Sequence, residues 1–143
     1  MNWLTKNLTK LNPIADIKLV FNNSEEITVL SDEYRLKQVL INLLDNAFKF
    51  TEDGSIEMGF SIQANKVVCY VSDTGVGIEK EDQEKIFEQF IKLESNGDKL
   101  YRGTGLGLAI SKQLIHKMDG EIWLESEYKK GSKFFFTILR YIE

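Results

Sequence analysis

The stretch DEYRLKQVLINLLDNAFKFT, residues 32–51, decides how this chain is read. Asp32 is a good helix cap, and apolar side chains follow at helical spacing, which predicts a helix over 33–50. At about 100° per residue, Leu36, Leu40, Leu43, Leu44 and Ala47 gather on one side as a core face. Arg35, Gln38, Asn42, Asn46 and Lys49 share an arc of about 80° on the other side. Periodicity alone would make that stripe a solvated face as readily as a site. Its composition points to a site. Asparagine prefers caps and turns to helix interiors. Two asparagines one turn apart, with a lysine beside them, suit metal and phosphate chemistry. An amide oxygen is a hard ligand for Mg²⁺, and a lysine is a point charge for a phosphate.

Bulk properties fit a soluble globular domain. The chain has 143 residues, 43% hydrophobic and 28% charged, enough to bury a core without staples. Its formal net charge of −4 argues against a nucleic-acid or anionic-membrane binder, and no apolar run approaches a membrane span. The single cysteine, Cys69, forbids an internal disulfide and reads as a small buried hydrophobe.

Around the central helix, residues 1–12 carry Trp3, Leu4, Leu8 and Leu11 at helical spacing and end at Pro13. Residues 17–21 and 27–30 are strand candidates joined by the polar turn NNSEE. Residues 55–63 and 66–72 alternate as a hairpin with Ala64-Asn65 at its turn. Residues 79–84 read as a short helix and 91–104 as a polar connection. A second firm helix runs over 106–118 and stops at Asp119-Gly120. A closing hairpin, 121–127 and 133–141, turns at YKKG. Its last strand is apolar on both faces, which predicts a central position. The expectation is an α+β chain: a two-layer α/β sandwich with a mixed, mostly antiparallel sheet of about five or more strands, helices covering one face.

Two glycine segments complete the pattern. DTGVGI, residues 73–78, follows a strand directly. Asp73 can accept a hydrogen bond from a base amino group, and Gly75 and Gly77 permit a tight turn and the close approach of a flat ring. GTGLGLAI, residues 103–110, opens the second long helix. It matches neither the dinucleotide fingerprint nor the P-loop. Glycines at a helix start still leave backbone N–H groups open to a phosphate, and Arg102 stands beside them.

Taken together these segments resemble the catalytic domain of sensor histidine kinases, in the superfamily shared with gyrase, Hsp90 and MutL. The matching motifs are NLLDNAFKFT (residues 42–51), DTGVGI, IFEQF (86–90), GTGLGLAI and the Gly131-Ser132 pair before FFFTI. The resemblance implies the Bergerat ATP-binding fold over residues 16–143, with 1–15 as a linker or the end of an upstream helix. It implies ATP and Mg²⁺ as cofactors, with Asn46 and Asn42 on the metal and Lys49 on phosphate. Asp73 would meet the adenine amino group, in a pocket shaped by Phe50, Gly75, Gly77 and Ile78 and supported by Ser132. Residues 91–102 would form a mobile lid over Phe87 and Phe90. Arg102, Gly103, Thr104, Gly105, Leu106, Gly107 and Leu108 would line the phosphates. Asn46, Lys49 and Arg102 would carry the catalytic work.

Two departures refine the expectation. Gyrase-like and Hsp90-like ATPases have a water-activating glutamate where this chain has Asn42, and an amide is no general base. Slow hydrolysis is therefore expected. The only histidine, His116 in QLIHKM, lacks the acceptor context and sits where a helix C-terminus favours a cation. The implied function is donation of the γ-phosphoryl group to a histidine on a separate dimerisation and phosphotransfer domain of the full-length kinase, with a response regulator downstream. The implied setting is a cytoplasmic, monomeric domain of a kinase that is itself soluble or membrane-anchored. The alternatives are an anti-sigma-type serine-kinase domain and a non-catalytic adenine-nucleotide module.

Overall fold

The computed structural model describes residues 16–21, 29–30, 32–88, 94–95, 99–100 and 107–140. The amphipathic segment expected over 1–12 and the start of the second strand candidate lie outside them. The elements in chain order are β1 (Asp16–Phe21), β2 (Val29–Leu30), α1 (Glu33–Phe50), β3 (Asp53–Gln63), β4 (Lys66–Asp73), α2 (Lys80–Gln83), β5 (Glu94–Ser95), β6 (Lys99–Leu100), α3 (Gly107–Lys117), β7 (Ile122–Glu127) and β8 (Gly131–Arg140).

α1 starts where Asp32 caps it: one carboxylate oxygen accepts from Tyr34 N at 3.0 Å and Arg35 N at 3.2 Å. Its core face is the expected one, extended by Val39 and Phe48. Val39, Leu43 and Leu44 are fully buried, each stabilising the fold by about 1.5–3 kcal/mol relative to exposure. α1 packs against α3 and β4, so the helices share one face of the sheet.

Among the described residues the main sheet has six strands, ordered β1-β3-β4-β8, with β2 and β7 both along the outer side of β8. β7 pairs with its first half, from Glu127↔Gly131 to Ile122↔Phe136, and β2 with its end at Leu139 and Arg140. β8 is therefore paired on both sides, as its two apolar faces require. The pair β1–β3 is parallel and the remaining pairs are antiparallel. The strand candidates flanking NNSEE are not neighbours but opposite edges of the sheet. A parallel β1–β3 pair needs a crossover, and α1 supplies it.

On the helix side of β8, Phe134, Phe136 and Ile138 are buried with Ile56, Val67, Val71 and Ile115. On the far side Phe135 stacks on Trp123 with ring centroids 5.3 Å apart. Cys69 lies in this sheet, and burial pushes its thiol up to about 12, so it is a packing group at neutral pH. α3 stops because Asp119 takes the left-handed conformation and Gly120 N bonds back to Ile115 O at 2.9 Å. β5 and β6 form a two-residue antiparallel ladder inside the stretch expected to be irregular. Among the described residues no helix is long and apolar enough to cross a membrane.

Candidate active site

α1 is the spine of the site, and each glycine segment meets a different part of it. At the C-terminal end, Val76 N donates to Phe50 O at 3.1 Å. A Cβ on Gly75 would stand 2.1 Å from that same carbonyl oxygen, so only glycine lets the turn settle on the helix end. Gly77 has a φ of +71°, and a Cβ there would stand 2.1 Å from Glu127 O. The close approaches these two glycines permit are therefore between backbones of the protein itself.

Asp73 closes β4 directly opposite Ser132 on β8. It is 7% exposed. Its Oδ1 accepts from Gly75 N at 2.9 Å and Ser132 N at 3.3 Å. Burial lifts its pKa to about 6, against the opposing pull of those two amides. Oδ2 takes no hydrogen bond from a described residue. A buried carboxylate held by one oxygen, with the other unspent, can accept from an amino group.

Behind Asp73 lies a polar clasp that the sequence reading did not contain. Ser126 Oγ accepts from Ile78 N at 2.8 Å, donates to Gly131 O at 2.9 Å and lies 2.8 Å from Ser132 Oγ. The Gln83 side-chain amide donates to Ile78 O at 2.9 Å and Ser126 O at 3.0 Å. The tail of the first glycine segment is thereby locked to the β7–β8 hairpin. Ile78 itself is buried in the core. Thr51, at the end of α1, was also missed. It is 2% exposed and its Oγ1 has no partner among the described residues.

Toward the middle of α1, Asn42 Nδ2 lies 3.2 Å from both Gly107 O and Ser111 Oγ on α3. Ser111 is fully buried and donates to Gly107 O at 2.9 Å. The start of the second long helix is thus pinned to the polar stripe. Ser111 could have been found as a polar residue on the apolar face of its helix. Asn42 has a structural task, clipping two helices, besides the one expected of it. Asn46 is half-buried, and its side chain bonds to no other described residue. Lys49 Nζ lies 2.9 Å from Asp45 Oδ2, a partner the stripe had not included.

Phe87 packs edge-on against Phe134 with centroids 6.2 Å apart, and Lys112 Nζ sits 5.8 Å over its ring. Leu108 packs on the core cluster. Phe90, Arg102, Gly103, Thr104, Gly105 and Leu106 lie outside the described residues, as does most of the 91–102 segment. The structure therefore brings Asn42 to Gly107, Phe50 to Gly75 and Asp73 to Ser132.

Comparison with known proteins matches residues 31–142 to the family of histidine kinase-, DNA gyrase B-, and HSP90-like ATPases. The autoinducer 2 sensor kinase/phosphatase LuxQ of Vibrio vulnificus is 41% identical over 76% of this chain and 13% of its own length. The adaptive-response sensory kinase SasA of Thermosynechococcus vestitus is 46% identical over 77% of this chain and 29% of its own. The chain thus spans less than a third of either relative. Among solved structures, the nucleotide-free catalytic domain of histidine kinase ThkA superposes with a TM-score of 0.77 at 33% identity, covering 97% of this chain and 88% of that one. Full-length ShkA in complex with AMPPNP gives a TM-score of 0.84 at 29% identity, covering 99% of this chain and 30% of that one. The motif order, the sandwich topology and these matches agree: the chain belongs to the histidine kinase-, DNA gyrase B-, and HSP90-like ATPase family, as an ATP-binding catalytic domain of the histidine kinase type.

Proposed function

We propose that this domain binds Mg-ATP and gives the γ-phosphoryl group to a histidine on a dimerisation domain of the same full-length kinase, upstream of a response regulator. The observation that carries the reading is Asp73: buried, anchored through one oxygen by two backbone amides, with the other oxygen bonded to no described residue. Residues 16–143 form the catalytic unit in this reading, and 1–15 connect it to the rest of the kinase.

The donor set suits magnesium. Asn46 offers an amide oxygen bonded to no other described residue, one turn from Lys49, and Mg²⁺ is commonly held by one or two protein oxygens together with phosphates and water. Among the described residues no group of three acidic, histidine or cysteine side chains gathers to hold a metal without phosphate. When bound, the ion supplies charge compensation on the phosphates. Asn46 would hold it, and Lys49, now paired with Asp45, would offer its ammonium to phosphate oxygen. The α3 N-terminus adds its dipole, and Arg102 and the 103–107 glycines complete the phosphate end.

Asn42 occupies the place where a hydrolytic relative needs a carboxylate. It cannot take a proton from water, and its Nδ2 already faces Gly107 and Ser111. Hydrolysis should therefore be slow while transfer to histidine is efficient. The test supplies this domain with a histidine-bearing dimerisation domain and Mg-ATP. Phosphohistidine should accumulate with little free phosphate, and Asn46→Ala should lose Mg²⁺-dependent binding. Steady hydrolysis at the rate of a dedicated ATPase, with no phosphohistidine, would refute the assignment.

A further inference from the structure

The clasp behind Asp73 fixes the direction of a proton. Ser126 Oγ has one hydrogen and two lone pairs. Ile78 N can only donate to it, and Gly131 O can only accept from it. Both bonds and the 2.8 Å contact to Ser132 Oγ coexist in one arrangement: Ser126 gives its proton to Gly131 O, and Ser132 gives its own to Ser126. The Ser132 hydroxyl has then spent its hydrogen, and what remains on it is acceptor capacity. Ser132 is 7% exposed and stands in register with Asp73 across the β4–β8 ladder. Its backbone N–H already bonds to Asp73 Oδ1.

We infer that Ser126 is a positioning residue for base selectivity: by taking the Ser132 proton, it leaves Asp73 Oδ2 and Ser132 Oγ at the base end of the site as a pair of acceptors, and so favours a 6-amino purine over a 6-oxo purine. The inference rests on the reading of Asp73 as the base-recognising group. An exocyclic amino group carries two hydrogens and can give them to these two acceptors. A carbonyl at that position meets two lone-pair-bearing oxygens, neither of which can donate to it. Gln83 steadies the arrangement by holding Ser126 O and Ile78 O with its two N–H groups.

The test compares binding of ATP and ITP, which differ at the 6-position, to the purified domain and its variants in Mg²⁺ buffer. The parent should prefer ATP by at least tenfold. Ser126→Ala frees the Ser132 proton to serve as a donor, so ATP should weaken about five- to tenfold while ITP holds or improves. Ser126→Thr, which keeps the hydroxyl, should keep the parent ratio. A melting curve accompanies each variant. If Ser126→Ala does not fold, Ser126→Cys, similar in volume and a much weaker hydrogen-bonding group, carries the same expectation. Equal weakening of both nucleotides in Ser126→Ala or Ser126→Cys would overturn the inference and reduce Ser126 to a structural clasp, leaving the ATP reading standing. A parent that binds neither nucleotide would instead overturn the ATP reading and this inference with it.

Discussion

The two ends of the candidate site are built differently. The proposed base end, around Asp73, Gly75, Gly77 and Ser132, is held largely by backbone: amides on a carboxylate, carbonyls against glycines, a strand pair in register. The proposed phosphate end, around Asn42, Asn46, Lys49 and Gly107, is held by side chains, with Asn42 and Lys49 paired to other protein groups. A flat base needs fixed donors and acceptors, whereas phosphates that must be bound and then transferred need groups that can change partners. Rigid and exchangeable halves are joined by one helix, so a disturbance of α1 reaches both.

The contrast is broken most severely at the glycines. Gly75→Ala would drive a methyl into Phe50 O, a backbone atom with nowhere to go. It should cost roughly 2–4 kcal/mol of stability, read from a denaturant midpoint. Gly107→Ala is the control at the other end. The nearest atom to its Cβ is 3.8 Å away, on Asn42. Its stability should stay within about 1 kcal/mol of the parent.

Asp73→Asn separates binding from folding. The amide oxygen can keep both backbone bonds, and the buried charge disappears, so the melting temperature should hold or rise. The NH₂ group then points donor to donor at a base amino group. Adenosine affinity should fall by about 1–3 kcal/mol, measured by calorimetry. Simultaneous loss of stability and affinity would make Asp73 a structural residue first.

Acidification probes the same group without mutation. With the pKa lifted to about 6, the carboxyl gains its proton as pH falls through that value and loses acceptor capacity. ATP affinity should drop by up to tenfold per pH unit below about 6. The stability effect has the opposite sign. Because the folded pKa lies above the unfolded one, this group's contribution is greatest below the ordinary carboxylate range and declines as pH rises toward about 6. An Asp73→Asn variant should flatten both profiles.

The smallest effect on the fold belongs to Lys49→Ala. The Lys49–Asp45 pair is an i,i+4 contact with both side chains about a third exposed. Such pairs contribute about 0–1 kcal/mol, so the melting curve should scarcely move. ATP affinity should fall about tenfold, near 1.4 kcal/mol, while adenosine affinity stays put. Equal loss for both ligands would place Lys49 away from the phosphates.

Much of this was legible in the chain itself. Helical spacing found α1 and its core face, alternation found the β3–β4 and β7–β8 hairpins, and the double apolar pattern of residues 134–139 put β8 inside the sheet. These are local periodicities, and they survive without knowledge of neighbours. The order of the motifs led to the family for a related reason: each motif is a short run whose residue types are demanded by local geometry.

What the tertiary structure alone decided is who meets whom. No pattern within 17–30 says that those two strands lie at opposite edges, because strand order is set by the α1 crossover. Nothing in DTGVGI says that Gly75 is required by Phe50 O. Nothing in LESEYKKGS says that Ser126 completes a hydrogen-bond chain to Ser132. Hydrogen-bond partners distant in sequence carry no periodic signature. A single polar residue such as Ser126 looks like ordinary surface until packing brings Ile78, Gly131 and Ser132 within hydrogen-bond reach of its hydroxyl.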